Sequence, residues 1–119
     1  MDVIRVYKCL CDAQRLRILN LLSRGPLCVC HLMEVLAVDQ VKMSKQLQYM
    51  RKLGVLEVEK VAQWRIYRIS DSPSPLLLEN LRCLQSLSGE ELPFEEDLQR
   101  RAEVLERSEN GVLKDCCGV

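Results

Sequence analysis

Two cysteines one residue apart, Cys28 and Cys30, stand in the segment PLCVCHLMEVL and form the most chemically distinctive pattern in the chain. Thiolates are soft donors that select thiophilic ions over Mg²⁺ or Ca²⁺. Pro26 and Leu27 ahead of the pair suggest a helix start, so both thiols are expected in a first turn. There the unpaired amides and the helix dipole favour the thiolate. Residues at i and i+2 do not face each other on an α-helix. One ion held by both would therefore require that turn to unwind, and the distortion would pass to whatever the helix supports. The plain alternative is a pair of small apolar side chains packed in a core, as isolated cysteines commonly are.

Apolar periodicity supplies the elements that must position this pair. Residues 3–10 place Val3, Ile4, Tyr7 and Leu10 on one helical face. Asp12 is an N-cap for a second helix carrying Leu16, Ile18, Leu19, Leu21 and Leu22, which Arg24-Gly25-Pro26 ends. A short third helix, 27–36, turns Leu32, Val35 and Leu36 inward. Asp39 caps a fourth that runs to about residue 53 and stops at Gly54, with Met43, Leu47 and Met50 at core spacing. Two β-like runs, 55–60 and 64–70, follow, joined through Val61-Ala62-Gln63. Ser72-Pro73-Ser74-Pro75 precedes another apolar helix, 76–87, and Ser88-Gly89 marks a boundary. Beyond it an acidic amphipathic helix, 94–107, leads to an end containing Cys116 and Cys117. The division is thus 1–87 as the main domain and 88–119 as an acidic helix with a cysteine-containing tail.

A short helix, a turn, a second helix and a hairpin in that order make a mainly α winged helix-turn-helix. The outer face of the fourth helix carries Lys42, Lys45, Gln46 and Tyr49, and no acidic residue occurs between Asp39 and Glu57. Gln40, Lys42, Ser44, Lys45 and Gln46 are the candidates for contact with double-stranded operator DNA. Gln suits adenine edges, and Lys suits guanine or backbone oxygens. Arg65 and Lys60 on the hairpin would add phosphate contacts, which position without specifying. Charge supports this. Residues 1–87 hold 13 Lys/Arg against 8 Asp/Glu, whereas residues 88–119 hold 4 against 9, so a net charge of zero conceals a basic body and an acidic tail.

The segments YKCLCDAQRLRILNLL, LCVCHL, DQVKMSKQLQYMRKLGVL and WRIYRIS together resemble the ArsR/SmtB family of metalloregulatory repressors, over about residues 7–87. Within it the likeness is nearest to repressors of arsenical resistance. The resemblance implies a homodimer joined through the first and last core helices, here 3–10 and 76–87. It also implies release from DNA when As(III) or Sb(III) binds cysteine thiolates. The arsenite-responsive pattern is CVCDLC, whose three thiols suit three-coordinate As(III). This chain has His31 in place of the Asp and Met33, a weaker thioether donor, in place of the third Cys. A third thiolate would come from Cys116 or Cys117, or from Cys9 or Cys11. Cadmium and lead sensors of the family join such amino-terminal cysteines to the CVC pair, so Cd(II)/Pb(II) is the alternative ligand. Cys83 is expected to pack. His31 is the single histidine, which excludes a multi-histidine zinc site within one chain.

Other classes fit less well. Seven cysteines without a leader-like amino terminus favour metal-binding or reactive thiols over a disulfide framework, and a cytoplasmic setting. No apolar run approaches the roughly 20 residues that span a bilayer. A thiol enzyme would want a Cys-x-x-Cys pair, which the chain lacks; a repressor sensing oxidation through Cys28, Cys30 or the tail pair remains open.

Overall fold

The carboxylate of Asp12 accepts the backbone N–H of Arg15 at 3.0 Å and sets the start of the second helix. Asp39 does the same for the fourth, accepting from the N–H of Lys42 at 2.9 Å. Both are caps of the kind that replace an orphan helical donor's lost partner. In this computed structural model, which describes residues 3–86 and 92–108, the order is α1 (Val3–Leu10), α2 (Ala13–Leu22), β1 (Leu27–Cys28), α3 (Val29–Leu36) and α4 (Gln40–Lys52). Then come β2 (Leu56–Val61), β3 (Trp64–Ile69), α5 (Pro75–Ser86) and α6 (Phe94–Arg107). The winged helix-turn-helix expected from the sequence is present, with α3 and α4 as the two helices and β2–β3 as the wing. Among the described residues no helix is long and apolar enough to cross a membrane.

Gly54 makes the exit from α4 possible. Its φ of +82° lets its own N–H reach the Arg51 carbonyl at 3.0 Å and the Val55 N–H reach that of Met50 at 3.1 Å. This double return satisfies two late carbonyls and aims the chain into β2.

One element was not expected. Leu27 and Cys28 are extended, and they pair antiparallel with Tyr67 and Ile66, so the sheet has three strands in the order β1-β3-β2. The third helix consequently begins at Val29, not Leu27, with Cys28 as an N-cap whose side chain makes no capping hydrogen bond. The sequence placed Cys28 inside a helical turn; the ladder on β3 overrides that local reading. The wing turn is also tighter than expected, because Val61 pairs with Trp64 and leaves only Ala62 and Gln63 at the tip.

The core holds Ile18, Leu19, Leu21, Leu32, Val35, Met43, Leu47, Met50 and Leu77, all nearly inaccessible. From α1 it receives Val6 and Cys9, whereas Val3, Ile4 and Tyr7 are 55, 59 and 51% exposed. Of the apolar face read in α1, Leu10 packs against this core while Val3, Ile4 and Tyr7 point away from it. Tyr67 is the deeply buried side chain of β3.

The acidic segment contributes α6 to the same core through Val104 and lies against α2 and α3. Its anchor is Asp97, which is 1% exposed and receives two hydrogen bonds from the Arg17 guanidinium, at 2.8 and 2.9 Å. Asn20 donates to the Phe94 carbonyl at 3.2 Å, and Arg101 to that of Gly25 at 3.2 Å. Removing one partner of a buried charge pair costs about 3–5 kcal/mol, because the other is left desolvated. Arg17 keeps 26% of its side-chain exposure and can take water in compensation. Asp97→Asn should therefore lower unfolding stability by about 2–3 kcal/mol, measurable by urea titration; a loss below the error of that titration would remove α6 from the load-carrying structure.

Candidate functional site

The outer surface of α4 presents Gln40, Lys42 and Lys45 to solvent, with Ser44 half-buried beside them. Val41, at 64% exposure, lies among these polar groups, an apolar contact fit for a thymine methyl. Gln46 differs from its neighbours. Its amide nitrogen donates to Asp12 Oδ2 at 3.0 Å and Gln14 Oε1 at 3.3 Å, and its oxygen accepts from Arg15 at 3.1 Å. Arg15 also donates to the Cys9 and Lys8 carbonyls, at 3.0 and 2.9 Å, and its guanidinium lies 4.9 Å from the Tyr49 ring centre. One side chain therefore ties the C-terminal end of α1 to α2 and α4, and Gln46 is committed to that network. The sequence reading missed this hub. The Asp12-x-x-Arg15 spacing at a helix start was visible, but nothing local shows that Arg15 faces another helix.

The wing brings its cations to the same side. Lys60 and Arg65 are cross-strand partners, and both line a cleft of about 650 Å³ with Gln48, Arg51 and Lys52 of α4. The second hairpin arginine, Arg68, is neutralised by Glu57, Glu59 and Asp71 at 3.1, 3.4 and 3.5 Å. Hydrogen bonds from the Asp71 N–H and Ser70 hydroxyl, with the Arg68 charge, hold the Glu57 carboxyl below its usual range.

Cys28 is 4% exposed and sits opposite Ile66 in the ladder, whereas Cys30 is half-buried in the first turn of α3. The pair straddles a strand–helix junction, so the rule that i and i+2 diverge on a helix no longer applies. The separation of the two thiols is therefore set by that junction and not by helical geometry alone. Cys30 and Met33 open into a cleft of about 850 Å³ whose other walls include Gln40, Ser44, Gln63 and Arg65. Cys30 and the candidate DNA contacts Gln40, Ser44 and Arg65 thus share a cavity, whose lining does not include Cys28.

Two thiols and a thioether are a soft donor set, which fits a thiophilic ion at two strong positions. Among the described residues no group of three or more His, Cys, Asp or Glu could hold a metal ion. Cys116 and Cys117 lie outside the described residues. Cys9 is wholly buried, and desolvation pushes its thiol from 9.0 up to about 11, so it is held neutral. Cys11 is exposed, and Cys83, expected to pack, is exposed on α5 in the single chain. His31 is buried beside the pair, its Nε2 2.8 Å from the Ser108 hydroxyl, and Arg107 pairs with Glu34. The end of α6 is therefore seated on α3.

Comparison with known proteins agrees with this fold. The family described as "Bacterial regulatory protein, arsR family" matches residues 12–58. An arsenical resistance operon repressor of Bacillus subtilis is 35% identical over 86 residues, covering 71% of this chain and 82% of the relative. An arsenic resistance transcriptional regulator of Pseudomonas putida is 42% identical over 65 residues, covering 54% of this chain and 51% of its own length. The chain thus spans about half of the latter. The solution structure of a homodimeric winged helix-turn-helix DNA-binding domain from Mycobacterium bovis superposes with a TM-score of 0.61 at 26% identity, over 70% of this chain and 74% of that one.

The Cys9 thiol yields a pH dependence. Folding favours its protonated form, so its contribution is fully present below the unfolded pKa of 9.0 and is lost as pH rises towards about 11. The expected slope is up to about 1.4 kcal/mol per pH unit in that window. Denaturant titrations of wild type and Cys9→Ala at about pH 8 and about pH 10.5 check it, since only wild type should carry this extra alkaline loss.

Proposed function

The chain belongs to the arsR family of bacterial regulatory proteins, and from that premise we propose that it is a repressor released from operator DNA by trivalent arsenic or antimony. The observation that carries this reading is the shared cavity. Cys30 and Met33 form one wall of the cleft that Gln40, Ser44 and Arg65 close from the DNA side. Gln40, Lys42, Ser44 and Lys45 enter a major groove, while Arg65 and Lys60 take phosphates. Gln46 holds α4 at its angle to α2 and reaches bases only by giving up its present partners.

The protein acts as a homodimer. Val3, Ile4 and Tyr7 of α1 and Leu78 of α5 are exposed apolar side chains on the two helices that the family uses for pairing, and burying them against a second copy accounts for their exposure. Two copies of α4 then address two half-sites about one helical turn apart.

Cys28 and Cys30 provide two thiolates to the inducer, which when bound supplies the charge and bonding change that ends DNA binding. Cys116 or Cys117 provides the third. Ser108 hydrogen-bonds to His31, adjacent to Cys30, and the eight residues from there to Cys116 span up to about 26–29 Å when extended. The tail of the same subunit can therefore reach the pair. The cadmium or lead reading, which draws on amino-terminal thiols, would rest on the exposed Cys11, since Cys9 is buried with its thiol pushed up.

Arsenite titration under full reduction tests the reading. Cys28→Ser should bind operator DNA as tightly as wild type and resist release by at least about 10-fold in arsenite concentration. Cys116→Ser combined with Cys117→Ser should weaken arsenite binding without abolishing it. A wild-type protein that holds DNA at saturating arsenite but lets go on oxidation would replace the metalloid by a redox signal. On the DNA side, Lys45→Ala should weaken operator binding by about 1–3 kcal/mol and leave the thermal stability unchanged. Gln46→Ala should lower stability as well, because it removes the side chain that joins Asp12 and Arg15 to α4; anisotropy and thermal melts together separate the two.

A further inference from the structure

Arg65 touches both halves of the proposed mechanism. It lines the cleft into which Cys30 opens, and it also lines the cationic cleft formed by Gln48, Arg51, Lys52 and Lys60. No other residue borders both of these cavities. Unlike Arg68, which three carboxylates neutralise, Arg65 has no side-chain hydrogen bond or ion pair among the described residues. Its charge is uncommitted, and it can serve either cleft.

The backbone links Arg65 to the thiols by a second route. Cys28 pairs with Ile66, the residue that follows Arg65 on β3. Successive side chains on a strand point to opposite faces, so Cys28 shares a face with Ile66 while Arg65 lies on the other with Lys60 and Tyr67. Any displacement of the Cys28 backbone is thus transmitted to β3 at the position that aims Arg65. The rung belongs to a strand only two residues long. Trp64, next to Arg65 at the wing tip, has a buried indole N–H with no hydrogen-bond partner among the described residues, so that group does not lock the tip.

We propose that Arg65 is the residue through which occupancy of the Cys28–Cys30 pair is communicated to DNA. With the pair empty, Arg65 lies in the cationic cleft and takes a DNA phosphate. With the pair occupied, Cys28 and Cys30 are drawn together and the Cys28–Ile66 rung shifts. Arg65 then turns out of the phosphate cleft. The wing is the moving element, and α4 keeps its place on α2 through Gln46 and Arg15. This rests on the thiol reading of the preceding subsection and deepens it by naming the path of release.

The experiment uses the full chain, an operator duplex that the protein itself selects from random DNA, and sodium arsenite under full reduction. Low salt keeps binding measurable for every variant. Arg65→Gln should reduce affinity for DNA and lower the salt-dependence slope by about one phosphate contact. The fold-loss of DNA affinity caused by arsenite, about 5–150-fold in coupled sites of this kind, should shrink to within about 2-fold. Lys45→Ala should weaken DNA binding too, yet keep the full arsenite factor. The single tryptophan, Trp64, gives a readout without DNA: its emission should change on arsenite addition to wild type and not to Cys28→Ser. Retention of the wild-type arsenite factor in Arg65→Gln would overturn the proposal alone. So would an unmoved Trp64 signal in a protein that releases DNA normally. A wild-type protein that binds DNA and ignores arsenite would overturn the thiol reading and this path with it.

Discussion

Two residues of backbone pairing, Leu27 and Cys28 against Tyr67 and Ile66, connect the thiol-bearing segment to the wing. Without that ladder β2 and β3 would be a two-stranded hairpin, which is marginal in water on its own. With it, Leu27 and Tyr67 enter the core at 2 and 4% exposure and the wing becomes a wall of the domain. The same pairing fixes the conformation of Cys28 and so the geometry of the Cys28–Cys30 pair. Site and wing are therefore consequences of one constraint.

Helix α4 is held by different chemistry. Its apolar side, Met43, Leu47 and Met50, is buried as an amphipathic helix requires. Burial alone leaves rotation and tilt loosely specified. Arg15 supplies the rest through directional hydrogen bonds to Gln46 and to two carbonyls at the end of α1. A partly buried guanidinium with this many partners loses little by desolvation and gains geometric definition. The consequence for DNA reading is that Gln46 trades a possible base contact for orientation of the whole helix, leaving Gln40, Lys42 and Lys45 as the outward side chains.

Helix α6 adds a clamp on α3. Asp97 and Arg17 anchor its first turn to α2, and Ser108 and Arg107 meet His31 and Glu34 at its last. The sequence marked this segment off by its charge, and its acidity is indeed mostly outward, but Phe94, Asp97 and Val104 are buried. An acidic helix can belong to a core when its apolar stripe and one paired carboxylate face inward. The charge count alone had no access to that pairing, since Arg17 and Asp97 are 80 residues apart.

By itself the sequence determined the elements with local signals: the caps at Asp12 and Asp39, the stop at Gly54, the 3.6-residue stripe of α4 and the alternation of the wing. It also placed two soft donors, Cys28 and Cys30, in one short segment, whatever backbone they occupy. Tertiary structure decided whatever depends on partners distant along the chain. It converted Cys28 from a helical residue to a strand residue, since a ladder with Ile66 outweighs a local preference in a segment of two. It sent Val6 and Cys9 inward while Val3, Ile4 and Tyr7 stayed exposed. It gave Gln46 to Arg15, and it set Arg65 between the two clefts. The physical reason is the same each time: caps and periodicity act within a few residues, whereas ladders, buried ion pairs and shared cavities exist only after the chain has closed on itself.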